Sequence, residues 1–281
     1  RSKETIYKGG RGADDGKYKF SLGFRLKHLF GFLQDFNRVI FNTKIELVLN
    51  RNIDDKLVFS GNDDTAAPKL EIKTLELHVY EITLEVNSEI PLLERLKSGK
   101  DIYVDYLERI SGQMDLPEGT SYSTNISTLN YLPRFIFIGF KDTEVSYKKN
   151  NSLFLIKGVQ SIQLRLNTTN YPLNPIEIPN SNFPFFPYQE YTKLCRNFQD
   201  KSGAPQVSYS DWRTYYPIFC FDVSNTDAIL DISNINVTVI IKKESNFKPR
   251  MHHLILKETK IKMKCNGGQI TVIEPVKGGR S

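Results

Sequence analysis

The sequence predicts an all-β fold, made of two tandem antiparallel jelly-roll sandwiches with short helices in the connections. Short segments alternate between apolar and polar residues, as strands with one buried face do. Alanine is scarce, whereas Tyr and Phe, which favour strands, number 14 and 18. The chain has 281 residues, a length that two sandwiches of similar size explain.

The chain begins with segments of different character. Residues 1–17 are polar and rich in Gly, and we expect them to form a flexible arm. Leucines recur near helical spacing over 22–33, which predicts a short helix or an irregular lead-in. Alternation with a period of two then appears over 45–49 and over 70–79, and both segments are predicted to be strands.

One helix and a series of strands are predicted further along the chain. Ser88 suits the N-cap, Pro91 the first turn and Gly99 the position after the end, so we expect a helix over 88–98. Residues 266–269, NGGQ, are typical of a hairpin turn. Strands are expected at 101–109, 121–127, 134–140, 161–166, 215–223, 232–241, 253–257, 261–265 and 269–273.

A boundary between the two sandwiches is predicted at Leu132–Pro133, between two sets of strands. The first jelly roll would then occupy 18–131 and the second 132–275, with a flexible tail at 276–281. The segment 168–189 carries five prolines, which cannot donate to a β ladder. We therefore expect a long, ordered connection without strands inside the second jelly roll.

The stretch SDWRTYYPIFCFDVS, residues 210–224, contains the only tryptophan of the chain and four further aromatic residues. It could be a ligand platform, a docking surface for a partner, or part of a core. Residues of both parities are mostly apolar, as in a strand that is covered on both faces. The core interpretation is therefore favoured, with SYSDW (208–212) as the turn that leads into the strand.

The sequence contains no pattern typical of catalysis or metal binding. His252 and His253 are adjacent in a predicted strand and would point to opposite faces, so they cannot hold one metal together. The paired aspartates lie beside Gly or Asn, where turn formation explains them. The residues themselves form no recognisable catalytic constellation, and the members of a triad can also be scattered through a sequence. The cysteines are odd in number and fit no metal or redox spacing, which favours reduced thiols and assembly inside a cell: Cys195, Cys220 and Cys265.

Positive charge is concentrated near the C-terminal end. Ten Lys and Arg stand against three Glu between residues 242 and 281, whereas the whole chain carries +6. Such a surface can attract nucleic acid, although lysines on the solvent side of a strand are the more common explanation. No apolar run reaches the roughly 18 residues that a membrane-spanning helix needs.

Three motifs, taken in order, resemble a known family. LPRFIFIGF (132–140), YPLNP (171–175) and YSDWRTYYPIFCFDVS (209–224) are similar to segments of the double jelly-roll capsid-like proteins of Polinton (Maverick) elements and adinto-like viruses. Residues 28–55 resemble the opening strand pair of that family's first jelly roll, and 69–86 resemble the strands that follow. The chain is short for a major capsid protein of this group.

The resemblance implies a structural protein of the virion. Three chains would form a trimer with a pseudo-hexameric outline, and trimers would tile a shell, with neither enzymatic activity nor a required cofactor. The expected trimer contact is the proline-rich loop, and a loop folded onto its own sandwich is the alternative: Tyr171, Pro172, Phe183, Phe185, Phe186 and Tyr188. The basic segment would face the shell interior and the genome: Lys257, Lys260, Lys262 and Lys264.

Two Gly-Gly sequences lie close to the two ends of the sequence, in YKGGR (7–11) and VKGGR (276–280). Viruses of the group that the chain resembles often carry a cysteine protease that prefers such sites. Cleavage after Gly10 and Gly279 would trim both arms, whereas flexible linkers are the simpler explanation.

Three functions remain open from the sequence. A self-assembling capsid protein should form trimers or larger assemblies. A jelly-roll module that binds carbohydrate or nucleic acid should stay monomeric and present an open aromatic groove. An undetected hydrolase should gather titratable groups in a deep pocket.

Overall fold

The computed structural model describes residues 21–36, 45–52, 54–57, 69–129, 133–179, 185–198, 207–224, 234–266 and 269–276. Its strands are β1 (Ile102–Asp115), β2 (Ser121–Leu129), β3 (Pro133–Lys141), β4 (Val159–Leu166), β5 (Thr169–Glu177), β6 (Phe219–Asp222), β7 (Ile235–Lys243), β8 (Arg250–Asn266) and β9 (Gln269–Val276). Its helices are α1 (Gly31–Asp35), α2 (Val86–Lys97), α3 (Phe186–Phe198) and α4 (Tyr209–Tyr215), with 3₁₀ turns at Leu26–His28 and Asp55–Leu57. The predicted all-β class with short helices is confirmed.

The strands form two antiparallel sheets. Sheet 1 has the order β1-β8-β3-β6, with β9 beside β8, and sheet 2 has the order β2-β7-β4-β5. Along the chain, the first strand pairs with the eighth, the second with the seventh, the third with the sixth and the fourth with the fifth. Folding a long ribbon of paired strands back on itself in this way gives the eight-stranded jelly roll. The described residues therefore contain one complete jelly roll, between 102 and 266.

The main core contains residues from both sheets. Its fully buried members include Ile136, Ile138 and Phe140 of β3 and Val237 and Ile241 of β7. Burial of each such side chain contributes roughly 1.5–3 kcal/mol. Trp212, Phe219 and Phe221 belong to the same buried cluster. The core interpretation of the aromatic stretch is thus confirmed for these three rings, while Tyr215 and Tyr216 are exposed.

A second, smaller core lies on the other face of sheet 1. Phe135, Leu194, Cys220 and Leu256 form a buried cluster in which α3 supplies Leu194. Because α3 covers this face, β3 and β6 are buried on both sides, which explains why both parities of their sequences are apolar.

Strands β1, β8 and β9 extend sheet 1 beyond the sandwich. On one side, strand β8 pairs with β3 as far as Lys257 and with β9 from Lys260 onward. On its other side, β8 pairs with the whole of β1, from Arg250 to Met263. We call this extension, residues 102–107, 258–266 and 269–276, the tongue. Val104 and Met263 are buried within it, and α1 and α2 contact β1 and β8.

Most of the predicted elements are confirmed. Helix α2 matches the helix expected at 88–98, and β8 and β9 pair antiparallel with Asn266 opposite Gln269, as expected of a hairpin. The expected strands at 253–257 and 261–265 are parts of one continuous strand, β8. The lead-in at 22–33 contains a 3₁₀ turn and the short helix α1.

The predicted connection without strands at 168–189 is wrong. Strand β5 occupies 169–177 and α3 begins at Phe186. Strand β5 lies at the edge of sheet 2 and pairs only with β4. An edge strand tolerates prolines because the backbone groups on its outer side form no hydrogen bonds to a neighbouring strand.

Two further predictions are wrong within the described residues. The strands expected at 45–49 and 70–79 form no β ladder. The strand expected at 215–223 is limited to β6, since helix α4 occupies 209–215. Ser208 caps α4 by accepting a hydrogen bond from the backbone N–H of Asp211, so the expected SYSDW turn is a helix start.

The predicted division of the chain into two rolls stays a prediction. Strands β1 and β2 precede the predicted boundary at 131/132, yet they pair with β8 and β7, which follow it. The described sandwich therefore contains strands that precede and strands that follow the predicted boundary in the sequence. The predicted flexible arm, 1–17, and residues 277–281 of the predicted tail lie outside the described residues.

Candidate interaction surfaces

An aromatic patch lies where α3 begins beside α4. The Phe185 ring lies 5.4 Å from that of Tyr188 and 5.2 Å from that of Tyr209. Tyr188 in turn packs at a tilt against the buried Trp212, with 5.7 Å between ring centroids. Phe185 and Phe186 remain 50% and 47% exposed. We call Phe185, Phe186 and Tyr209 the aromatic patch.

The patch rests on a fixed base. The Tyr188 hydroxyl donates a hydrogen bond to the carbonyl of Val207 at 2.9 Å, which ties α3 to the residues before α4. Burial raises the pKa of the Tyr191 phenol, which lies one turn further along α3. Rings held in this way lose little conformational entropy when a partner covers them.

Tyr171 and Pro172 lie apart from the aromatic patch along the chain, in strand β5. Four residues, Pro172–Pro175, stand opposite the single residue Gln163 of β4 and form a wide bulge. The side-chain amide of Gln163 donates to the carbonyls of Pro172 and Leu173 at 2.9 and 3.0 Å. Gln163 is buried, so this amide replaces the ladder bonds that the bulge interrupts.

The six residues of the predicted trimer contact therefore occupy different positions. Tyr171 pairs with Leu164 directly before the β5 bulge, and Pro172 is the first residue of the bulge, in which Leu173 is largely exposed. Phe185 and Phe186 are in the aromatic patch, and Tyr188 is buried beneath it. Phe183 lies outside the described residues. The contact itself stays a prediction.

The lysines of β8 face acidic residues of β1. Lys257 lies 3.1 Å from Glu108, Lys260 lies 3.6 Å from Asp105, and Lys262 lies 2.7 Å from Asp101. The ammonium groups of Lys260 and Lys262 also approach the Tyr103 ring, at 5.5 and 5.9 Å from its centroid. Strand β1 therefore neutralises much of the positive charge that the sequence concentrates here.

The four lysines do not share one face of the strand. Successive strand residues alternate between faces, so Lys257 points away from the side of Lys260, Lys262 and Lys264. Lys264 is exposed. A basic face toward the genome stays a prediction, and so does processing at Gly10 and Gly279, which lie outside the described residues.

The outer edge of β1 is occupied by the segment around α1. The backbone N–H of Leu107 donates to the Asp35 carboxylate at 2.9 Å. Arg109 donates to the carbonyls of Lys27 and His28 and to the side chain of Gln34. Gly31 approaches so closely that a Cβ there would lie 1.7 Å from the Leu107 carbonyl oxygen.

Sequence reasoning missed Arg109, Asp35 and Gln163. The first two are more than 70 residues apart in sequence, so no local spacing could reveal their role. Gln163 did carry a signal, because an amide between the apolar residues of SIQLRL needs a hydrogen-bond partner inside the core.

Among the described residues, no group of three His, Cys, Asp or Glu side chains is placed to hold a metal ion. None of the helices in those residues is long and apolar enough to cross a membrane. Cys195 and Cys220 are free thiols, and burial raises the pKa of both.

The strand pairing and the surfaces above define a jelly-roll protein with a rigid, exposed aromatic patch and partly exposed sheet edges. The chain belongs to the double jelly roll-like domain family, whose family model matches residues 6–257. A search of curated proteins found no match.

Three solved structures resemble the chain weakly. The Sputnik virophage structure is 12% identical, with a TM-score of 0.38, over 63% of this chain and 39% of that one. The mavirus major capsid protein is 9% identical, with a TM-score of 0.33, over 61% and 41%. The PBCV-1 virus capsid is 7% identical, with a TM-score of 0.39, over 68% and 55%. The chain thus matches between 39% and 55% of the length of these three structures.

Proposed function

We propose that this chain is a structural capsid-like protein whose copies associate into trimers and then into a shell, without enzymatic activity. The observation that carries the proposal is the family match over 6–257, together with a complete jelly roll at 102–266, most of which lies within that match. Its place would be the virion, and the Polinton-type elements are the source that its motifs favour.

The aromatic patch is the contact that the proposal assigns to neighbouring copies. Interfaces between protein chains are enriched in aromatic side chains, and large obligate interfaces resemble a core cut in half. Phe185 and Phe186 expose their rings, whereas Tyr188 and Trp212 hold the patch from beneath. Trp212, Phe219 and Phe221 are in the core and cannot stack on a sugar or a base, which disfavours the binding-module alternative for that part of the aromatic stretch.

The experiment is negative-stain electron microscopy combined with light scattering on the purified chain. We expect closed particles or trimers, and their loss in the variant Phe185→Asp/Phe186→Asp, because burying two carboxylates in an apolar contact is costly. Arg196→Asp, exposed on the same helix, is the control and should assemble normally. Assembly that survives the double variant would overturn the contact, and a monomeric wild type would overturn the function.

The proposal also includes a basic surface that faces the genome. Three of the four lysines have acidic neighbours on β1, so we expect weak binding that falls steeply with salt. Fluorescence anisotropy of a labelled DNA oligonucleotide should show binding at low salt and a smaller salt dependence for Lys260→Gln/Lys264→Gln. A variant with an unchanged salt dependence would exclude these lysines.

A further inference from the structure

Residues 69–85 carry the sequence pattern of a β-strand without the partner that a strand requires. Apolar residues alternate with Glu, Lys, His and Thr, yet no described strand pairs with this segment. Leu70 and Leu84 are partly buried, whereas six other large apolar side chains of this segment are between 54% and 98% exposed: Ile72, Leu75, Leu77, Val79, Tyr80 and Ile82. We call residues 69–85 the strap.

The strap is fixed at its beginning. Arg51 binds the Asp55 carboxylate at 2.6 Å and the Leu70 carbonyl at 2.8 Å, and Asp55 accepts from the Leu70 N–H at 3.2 Å. The neighbouring Lys56 carbonyl accepts from the amide of Asn151, in the connection between β3 and β4. The start of the strap is therefore held near the end of β3, where Lys141 pairs with Arg250.

The strap is also fixed at its end. Helix α2 follows directly, contacts β8, and stops five residues before β1 begins beside Met263 of the tongue. From Arg250 to Met263, strand β8 covers about 43 Å at roughly 3.3 Å per residue, and an extended segment of 17 residues covers about 56 Å. The strap can therefore reach from one end of sheet 1 to the tongue as a nearly straight strand.

The edge strands of the two sheets differ in how well they could pair with an added strand. The β1 edge is occupied by Asp35 and α1, β5 carries two prolines and a bulge, and β6 has only four residues. Strand β2 has nine residues, SYSTNISTL, with neither proline nor charge, and among the described strands it pairs with β7 alone. Its pairing with β7 is interrupted once, by a bulge between Asn125 and Ser127, so residues 121–125 form the regular part of this edge.

The faces of the strap and of β2 match. Tyr122 and Ile126 of β2 pack against the core, and Ser123 and Asn125 are exposed on the opposite face. Within 75–79, Leu75, Leu77 and Val79 lie at odd positions and Glu76 and His78 at even ones. The apolar residues on either side of this stretch lie at even positions: Ile72, Tyr80 and Ile82. Pairing of residues 75–79 would place their apolar side chains beside Tyr122 and Ile126 and leave Glu76 and His78 in solvent.

We propose that the strap of one copy adds to sheet 2 of a second copy as a strand along the outer edge of β2. This inference rests on the proposed function, because it supplies a contact between copies of the assembly. Addition of a strand to an open sheet edge is a common mode of recognition, in which backbone hydrogen bonds give affinity and alternate side chains give specificity.

The test uses the full chain with a photo-reactive residue, Leu77→p-benzoylphenylalanine, prepared as a mixture of ¹⁴N- and ¹⁵N-labelled copies. Mass spectrometry after irradiation should show cross-links that join light and heavy copies and map to residues 121–129. The same probe at Leu173, exposed on the β5 bulge, should give no cross-link to that strand. Cross-links only within one copy, or to another region, would overturn the proposal.

A second measurement separates this inference from the proposed function. Leu77→Pro removes the backbone donor and should lower the yield of assembled material about tenfold, whereas Leu77→Val should keep it within about twofold. Particles that form normally with Leu77→Pro would overturn the strap contact and leave the shell function standing. A wild-type chain that stays monomeric would overturn both.

Discussion

At the scale of single residues, the pair Gly112 and His253 shows how closely β1 and β8 are fitted. The two residues are partners across the ladder, and a Cβ at 112 would lie 2.5 Å from the imidazole ring. His253 is buried, and burial lowers its pKa. The ring thus occupies the space that the glycine leaves open.

We expect Gly112→Ala to destabilise the fold by roughly 1–3 kcal/mol, because the added methyl group must displace the ring from a packed site. Urea denaturation followed by tryptophan fluorescence would measure the change. Gly23→Ala is the matched control, since a methyl group there meets no atom within 4 Å. Equal stability of the two variants would show that the ring moves at no cost.

Stability should also fall with acidification. The pKa of His253 is lowered by burial, and that of His252 is lowered by burial and by its cationic neighbours Lys141 and Arg250. Above the ordinary pKa of about 6.5 both rings are neutral whether folded or unfolded, so no dependence arises. Below it the unfolded chain takes up protons more readily, and the free energy of unfolding decreases.

Chemical denaturation at pH values between 5 and 8 would test this, with an expected loss of stability as the pH falls below about 6.5. His253→Gln should flatten the dependence, whereas His78→Gln, at an exposed position, should leave it unchanged. A wild-type stability that is constant over this range would contradict the assignment.

At the scale of elements, α3 acts as the cover of sheet 1. Leu194 is fully buried and meets Cys220 of β6 in the smaller core. We expect Leu194→Ala to cost about 2–5 kcal/mol and to open access to the Cys220 thiol. Maleimide labelling, with the modified peptide identified by mass spectrometry, should be faster at Cys220 in this variant than in the control Lys193→Ala. Equal rates would show that α3 does not protect the strand.

The β5 bulge depends on one amide. Gln163→Leu would leave the carbonyls of Pro172 and Leu173 without their donor, at an expected cost of about 1–3 kcal/mol. Gln160→Leu, exposed on the same strand, should change stability little. Thermal denaturation of both variants would decide, and an unaffected Gln163→Leu would mean that water replaces the amide.

The sequence predicts an element well when the pattern that identifies it lies within the element's own residues. Strands with a regular alternation, such as β2 and β7, are predicted to within a few residues of their bounds. Strand β5 is missed because its prolines are acceptable only at an edge, and edges follow from tertiary pairing. Helix α3 is missed because its first residues belong to the proline-rich segment, and five prolines in that segment favour a connection.

At the scale of the whole molecule, a jelly roll pairs its first strand with its eighth, its second with its seventh and so on along the chain. The sequence does not show which segments are those strands. Strands β1 and β8 are more than 130 residues apart, and only the fold shows that they are partners. Phe185 and Phe186 of the aromatic patch are exposed, and their role as a contact stays a prediction. The support of the patch by Tyr188 and Trp212 depends on how α3 and α4 pack, which the sequence does not reveal.

The central claim is that copies of this chain associate with one another. The most direct measurement is the mass of the purified wild-type chain by size-exclusion chromatography with multi-angle light scattering. The proposal predicts three times the chain mass of 32.4 kDa, about 97 kDa, or a larger assembly. A single species of 32.4 kDa at every concentration tested would contradict it.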